Sequence, residues 1–506
     1  MLTDGSFKDC LFRRSVKLAA ACAIVSVCGG VPALADPSGT YRFGAAYEPT
    51  SWNPRTQPNR LYAGLVYEGL VSMSPDGTTL QPGLAEAWTI SSTEATFRLR
   101  KGVTFHDGTP FNADAVIANI KAVQTSGGQW QDTLSAVSDV VKVDDHNIRI
   151  LLKNPNPTLL YTLSGVGLVM ISPKALADGS WERLPDGTGA YKYNQSASVR
   201  GSKHVFDYFK PYYAPADIGP AKVELIYIPE AATRYNSVVS GQIDAGVVEM
   251  PQVAQAKADG LKTVMWPVLR YHLNINDRSK LFSDARVRKA LCMAFPRAQM
   301  NQARYDGLAD MPNQMYDKAD PAHVADLPDY KYDVEGAKAL MVQAGNPAIS
   351  FQWPALPQSK VFGELAKESL AKIGINVEVV VLQAAEYFRA VTTTRYPLNF
   401  NNPVGENGGM FNYYLFRFAQ DGPGNPFKVA PDAQLQAAFD KSLTATSADA
   451  PKLYQEMTRI ISDQALDCGY LDINHIIVYD PKKVETLAVT KWEPSTSRYY
   501  GIRLVH

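Results

Sequence analysis

Cysteine is scarce. The 506 residues contain five, and three of them (Cys10, Cys22 and Cys28) fall within the first 35. The remaining two, Cys292 and Cys468, are too few for a disulfide framework or a cysteine metal cluster. They read as two buried apolar thiols. The alternative is a single disulfide in an oxidising compartment, since sequence alone does not show proximity. Histidine is thin as well: the seven histidines (106, 146, 204, 272, 323, 475 and 506) are scattered, with no pair at ligand spacing along one helix. No resident metal or cofactor is expected. His106 and His146 fall in turns and read as solvated loop residues. An excess of either charge is also missing, with 50 Lys+Arg against 50 Asp+Glu. That balance excludes a large nucleic-acid-binding surface. Beyond residue 35 there is no run of about 20 apolar residues, so no membrane-spanning helix is expected there. The longest apolar stretch, Leu159 to Ile171, is broken by Ser164, Gly165 and Gly167.

Enzyme signatures are missing too. There is no Gly-x-Ser-x-Gly elbow, no His-Glu-x-x-His and no Gly-x-x-x-x-Gly-Lys-Ser/Thr phosphate loop,. Asp144 and Asp145 sit in a hairpin turn and read as turn formers. No catalytic residue is assigned, and the weight moves toward binding. A secreted hydrolase with an unfamiliar site is the competing reading from another class.

What is present begins with a targeting segment. Lys8, Arg13, Arg14 and Lys17 precede a short apolar stretch, Leu18 to Val27, and Ala33-Leu34-Ala35 supplies small residues where a signal peptidase cuts. Residues 1–35 are therefore expected to be a signal peptide cleaved after Ala35, with the mature chain periplasmic. Further on, strand and helix patterns alternate. Thr40 to Tyr47 reads as a strand, and Asn112 to Val123 as a helix capped by Asn112. Val140–Val143 and Asn147–Leu152 read as a hairpin. Val223–Ile228, Asp244–Val248, Ser350–Trp353, Val377–Leu382 and Ile473–Tyr479 read as strands. Helices fall between them, as in Ala231–Ser240, Val287–Phe295, Glu335–Gln343 and Val361–Ile373. This alternation predicts largely parallel sheets with helices on both faces.

One segment is specific. It runs Leu80-Gln-Pro-Gly-Leu-Ala-Glu-Ala-Trp88, then Thr96-Phe-Arg-Leu-Arg-Lys-Gly-Val-Thr-Phe-His-Asp-Gly-Thr-Pro-Phe-Asn-Ala-Asp-Ala-Val116. With Pro185-Asp-Gly-Thr-Gly-Ala-Tyr191, Ser240-Gly-Gln-Ile-Asp244 and Phe282-Ser-Asp-Ala-Arg-Val-Arg-Lys-Ala-Leu291 following in order, it resembles the family 5 extracellular solute-binding proteins of ABC importers. That is the dipeptide, oligopeptide and nickel-binding group. The resemblance implies a two-lobed periplasmic-binding-protein fold (α/β, type II, cluster C-like) with an extra α+β subdomain inserted in lobe I. The expected layout is lobe I from 36–75, 185–272 and the return 480–506, the inserted subdomain at 76–184, and lobe II at 273–479. It also implies a peptide or peptide-like ligand held between the lobes, ABC permease subunits in the membrane as partners, and a chain that works as a monomer. A nickel chelate, haem, an opine or an oligosaccharide is the alternative cargo.

For the ligand site, Gly405-Glu-Asn-Gly-Gly-Met-Phe411 resembles the acidic loop that meets the peptide amine in peptide-binding relatives, which nominates Glu406 and Asn407. The aromatic run that follows, with Tyr413 and Arg417, suits a cleft wall. Tyr47 and Trp52 leave a strand end for a proline-rich loop, where open α/β sheets take ligands. Arg270 and Asn274 lie on the proposed crossover between lobes.

Overall fold

The computed structural model describes residues 37–505, apart from 50, 56–61, 75–78, 127–128, 157, 215–218, 319, 402–408, 447–448 and 488–501. The signal-peptide expectation lies outside the described residues. One eight-stranded sheet organises the chain. Its strands are β1 (Thr40–Ala45), β2 (Tyr191–Val199), β3 (Lys203–Tyr208), β4 (Lys222–Tyr227), β5 (Ala245–Val248), β6 (Lys262–Ile275), β7 (Leu398–Asn401) and β8 (Asp467–Tyr479), in the spatial order β7-β6-β8-β5-β1-β4-β3-β2. The four helices used below are α1 (Ala113–Gln124), α2 (Leu159–Ser164), α3 (Ala285–Met293) and α4 (Gly409–Arg417).

The expectation of largely parallel sheets does not hold. Only β1 pairs in parallel within this sheet, with β4 and β5; the remaining pairings are antiparallel. The reason is topological. β2, β3 and β4 follow one another as a meander, and β6 and β8 are long strands that return against each other. The one parallel pair of the second half, Ile349–Ala355 with Ile375–Val381, does have its helix, Lys360–Ala371, between the strands, as a crossover connection requires.

The fold is two-lobed, with an α+β subdomain. That subdomain is a four-stranded antiparallel sheet (Ala85–Ile90, Glu94–Leu99, Asn147–Leu152, Val137–Asp144) closed by α1. Asn112 Oδ1 accepts from the Ala115 amide at 3.1 Å, an N-cap that contributes about 1 kcal/mol. Its apolar cluster, with Phe97, Phe105, Val116 and Ile150, is separate from the one on β1, β3 and β4. A third cluster runs from β5 across β6 and β8 to α3 and the Ile349–Val381 unit.

β6 and β8 join the halves. Lys262 pairs with Tyr479 beside β5, while Leu273 pairs with Cys468 and His272–Ile275 pair with β7. Register shifts interrupt this ladder between Pro267 and Leu269 and between Tyr271 and Leu273, and such irregularities let a strand bend. Among the described residues no helix is long and apolar enough to cross a membrane.

Two readings of single residues change. Cys292 on α3 and Cys468 on β8 are disulfide-bonded, with Cα atoms 5.8 Å apart across 176 residues of sequence, so the free-thiol reading gives way to its alternative. His106 is buried rather than solvated: its ring Nε2 lies 2.8 Å from the Gly189 carbonyl, and its amide donates to the Gly187 carbonyl. The two family-like segments thus interlock. A Cβ on Gly187 or Gly189 would lie 2.2 Å from the Val66 carbonyl oxygen or 2.5 Å from that of Leu65, closer than atoms approach. The reading of His106 as a solvated turn residue is thus overturned.

Candidate functional site

Arg270, on β6, is 2% exposed and saturated by protein. Its Nε donates to Asp472 Oδ1 at 2.7 Å and its Nη2 to Asp317 Oδ1 at 2.8 Å, while Nη1 donates to the Met315 carbonyl at 2.8 Å. Burial works against its charge, yet Asp472 and then Asp317 hold its ionisation above the usual range. This arginine pins the 314–317 segment onto the crossing strands.

A second buried network begins two residues further along β6, at His272. Asp467 on β8 accepts from the Tyr413 hydroxyl at 2.6 Å and from Arg417 Nη2 at 3.1 Å, and Arg417 Nη1 donates to the Gly424 carbonyl. His272 Nδ1 sits 3.9 Å from Asp467, and its ring stacks on Tyr470 at 5.7 Å. Asn274 donates to Asn401 Oδ1 at 2.9 Å. Polar side chains of β6 and β8 therefore hold α4 through Tyr413 and Arg417. Four atoms of this seam, His272 Nε2, Asn274 Oδ1, Asn399 Oδ1 and Arg417 Nε, find no partner among the described residues. Buried groups of that kind are met by internal water.

The structure brings Arg270, Asn274, Tyr413 and Arg417 together on one side of the crossing strands, each of them buried. Trp52 is separate. It is 8% exposed and packs against the rings of Tyr62, Tyr193 and His204, all within 5 Å. Tyr47, at the mouth of the same loop, is 70% exposed. Glu48 next to it anchors the loop, lying 3.0 Å from His204 Nε2 and accepting from the Gly201 amide. Glu406 and Asn407 lie outside the described residues. Sequence reasoning missed His272, Asp467 and Asp472. A signal for the two aspartates was present: carboxylates inside a strand-forming run, Leu466-Asp-Cys-Gly-Tyr-Leu-Asp-Ile473, need buried cations.

The model for bacterial extracellular solute-binding proteins, family 5, matches residues 79–425, more than two thirds of the chain. The chain belongs to this family. Among curated relatives, the family 5 chain is 26% identical to the dipeptide-binding protein of Escherichia coli K12, over 83% of this chain and 85% of that one. It is 25% identical to haem-binding protein A of Haemophilus influenzae, over 90% and 88%. Among solved structures it matches the periplasmic binding protein AgaA of A. tumefaciens R10, solved with agropinic acid. That match has a TM-score of 0.80 at 22% identity and covers 92% of this chain and 99% of that one. The family 5 fold thus extends over nearly the whole described chain, and members act outside the cytoplasm as the solute-binding parts of ABC import systems.

Burial of two family 5 histidines gives an acid response. Burial pushes His106 and His272 down to about 4, against 6.5 in an unfolded chain. As pH falls below 6.5 the unfolded chain takes the proton first. Stability therefore declines toward pH 4, by up to about 3 kcal/mol for each ring, and the slope vanishes below 4. His106→Gln should flatten urea-unfolding stability between pH 6.5 and 4; an unchanged slope would contradict this.

Proposed function

We propose that the chain captures a peptide or peptide-like small molecule between its two lobes, outside the cytoplasmic membrane, and presents it unaltered to the permease subunits of an ABC importer. The observation that carries this reading is the pair of strands, β6 and β8, that run through both lobes with two register shifts where they cross. Bending at that point swings one lobe against the other. A ligand that touches both lobes only when they are shut shifts the population toward the closed state. The relative named for dipeptide binding supports the peptide class.

In this reading Tyr47, Glu406 and Asn407 meet the ligand. Arg270, Asn274, Tyr413 and Arg417, each hydrogen-bonded to protein groups, and Trp52, packed on other rings, fix the walls behind them. The chain is exported with cleavage after Ala35, acts as a monomer, binds no nucleic acid and breaks no bond. The test is mass spectrometry of protein purified without denaturation, followed by thermal unfolding with di- and tripeptides, opines, haem, nickel chelates and oligosaccharides. A matching peptide at a free concentration 100 times Kd stabilises by about 2.7 kcal/mol, and should be recovered unchanged. A folded protein that responds only to a non-peptide reassigns the cargo; one that converts its ligand overturns the binding reading.

A further inference from the structure

The lobes also meet away from the crossing strands. α2 belongs to the inserted subdomain: Leu159 and Leu163 lie in the same apolar cluster as α1. α4 belongs to the second lobe, where Met410, Phe411 and Tyr414 pack with Tyr316, Ala322, Phe439 and Tyr454. Yet Asn412 Nδ2 on α4 donates to Thr162 Oγ1 on α2 at 3.1 Å. A Cβ added to Gly409 would meet Thr158 Cγ2, at the N-cap of α2, at 3.4 Å, so the start of α4 lies close to the start of α2. Tyr161 on α2 is half-buried: burial raises its phenol, and the Asp320 carboxylate of the second lobe raises it further. Asp320 accepts from the Ala322 amide at 2.7 Å.

We infer that this α2–α4 seam is a closure lock: the Thr162–Asn412 hydrogen bond holds the lobes shut and sets how long a solute stays, without either residue touching it. The inference rests on the capture reading above, because a lock matters only where the lobes open. Thr162 is 5% exposed, so its hydroxyl is removed from water in the shut form and regains water when the helices part. A net hydrogen bond of this kind changes the closed-to-open ratio about three- to tenfold.

Asp320 gives the lock a second signature. Burial raises its carboxyl to about 6; Asp317 adds to the rise, while the Ala322 amide and His323 oppose it. Tyr161, Tyr316 and Tyr454 complete its surroundings. Parting the helices lets water reach Asp320 from the α2 side and returns the carboxyl toward the ordinary range. The shut form thus holds the higher pKa and takes up the proton, so closure strengthens as pH falls through about 6, up to about tenfold between pH 7 and pH 5.

The test places spin labels at Val143→Cys and Val342→Cys, exposed sites on the subdomain and the second lobe, and measures their distance with and without a saturating di- and tripeptide mixture. Asn412→Ala and Thr162→Val should lower the short-distance population relative to the long one three- to tenfold, and Thr162→Ser should restore it. Asp320→Asn should abolish the rise of that population between pH 7 and pH 5. A short-distance population that neither Asn412→Ala nor Thr162→Val changes overturns the lock, as does its complete absence. Capture itself is judged separately by the co-purified solute, so a failed lock and a failed capture reading give different results.

Discussion

Asp467→Asn should lower the stability of the second lobe by about 3–5 kcal/mol, read as a shift of the urea midpoint followed by tryptophan fluorescence. The carboxylate is fully buried and accepts from Tyr413 and Arg417, both buried themselves. Arg278 lies close by, its ionisation pushed down to about 9 by burial and then by the Arg417 charge. Asp467 is thus the anion paired with the buried Arg417 guanidinium, with the partly buried Arg278 nearby. The amide keeps the shape and an oxygen for Tyr413, but leaves the buried Arg417 cation without its carboxylate, with the Arg278 charge nearby. Truncating one partner of a buried pair is costly, whereas replacing both by apolar side chains is far less so. Asp467→Leu combined with Arg417→Met should therefore recover part of the loss. A midpoint unmoved by Asp467→Asn would mean that Arg417 is neutralised by something other than this carboxylate.

The fold was legible where local signals agree with tertiary packing. The Asn112 cap and the apolar spacing after it place α1 within one residue of its observed ends, because cap and periodicity point the same way,. The Val137–Leu152 hairpin was legible for the same reason: Asp144 to Asn147 carries turn chemistry between two alternating runs,. β6 escaped notice. Its sequence, Lys-Thr-Val-Met-Trp-Pro-Val-Leu-Arg-Tyr-His-Leu-Asn-Ile, contains Pro267 and charged and polar residues at intervals. A proline counts against a strand interior, and here it sits beside a register shift that makes room for it. The helix Arg297–Tyr305 was missed as well; its apolar residues are few, and tertiary contacts of Met300 and Tyr305 settle it. The same imbalance explains the sheet. Alternation of strands with helices suggested parallel pairing, but the partners of β6 and β8 are fixed over some 200 residues of separation, which no local pattern encodes.

The candidate site was legible by residue type more than by role. Arg270, Asn274, Tyr413 and Arg417 were singled out as chemistry-bearing, and they do gather on the crossing strands. Their partners, however, are protein groups: Asp472 and Asp317 for Arg270, Asn401 for Asn274, Asp467 for Tyr413 and Arg417. An arginine next to a ligand and an arginine over a buried carboxylate look alike in sequence, since the carboxylate lies up to 202 positions away. Trp52 shows the same limit, because a tryptophan in a proline-rich loop is equally suited to stack on a ligand or on Tyr193 and His204.

Cys292→Ala with Cys468→Ala should lower stability by a similar amount, and the two effects should not add. The bond closes a loop across 176 residues, and the chain-entropy account assigns such a loop about 5 kcal/mol. Both cysteines are 2% exposed, so a reductant should act only as fast as the lobe opens. The bond ties α3 to the first residues of β8, and Asp467 is the neighbour of Cys468. A freed β8 end loses the fixed position from which Asp467 meets Tyr413 and Arg417, so part of the ion-pair energy goes with the disulfide. In the triple variant the loss should fall short of the sum by at least about 0.5 kcal/mol, as expected for sites that share partners. Full additivity would show that β8 is held in place without the covalent link. Identical unfolding midpoints for the oxidised protein and the double-alanine variant would show that the link adds nothing to the folded lobe.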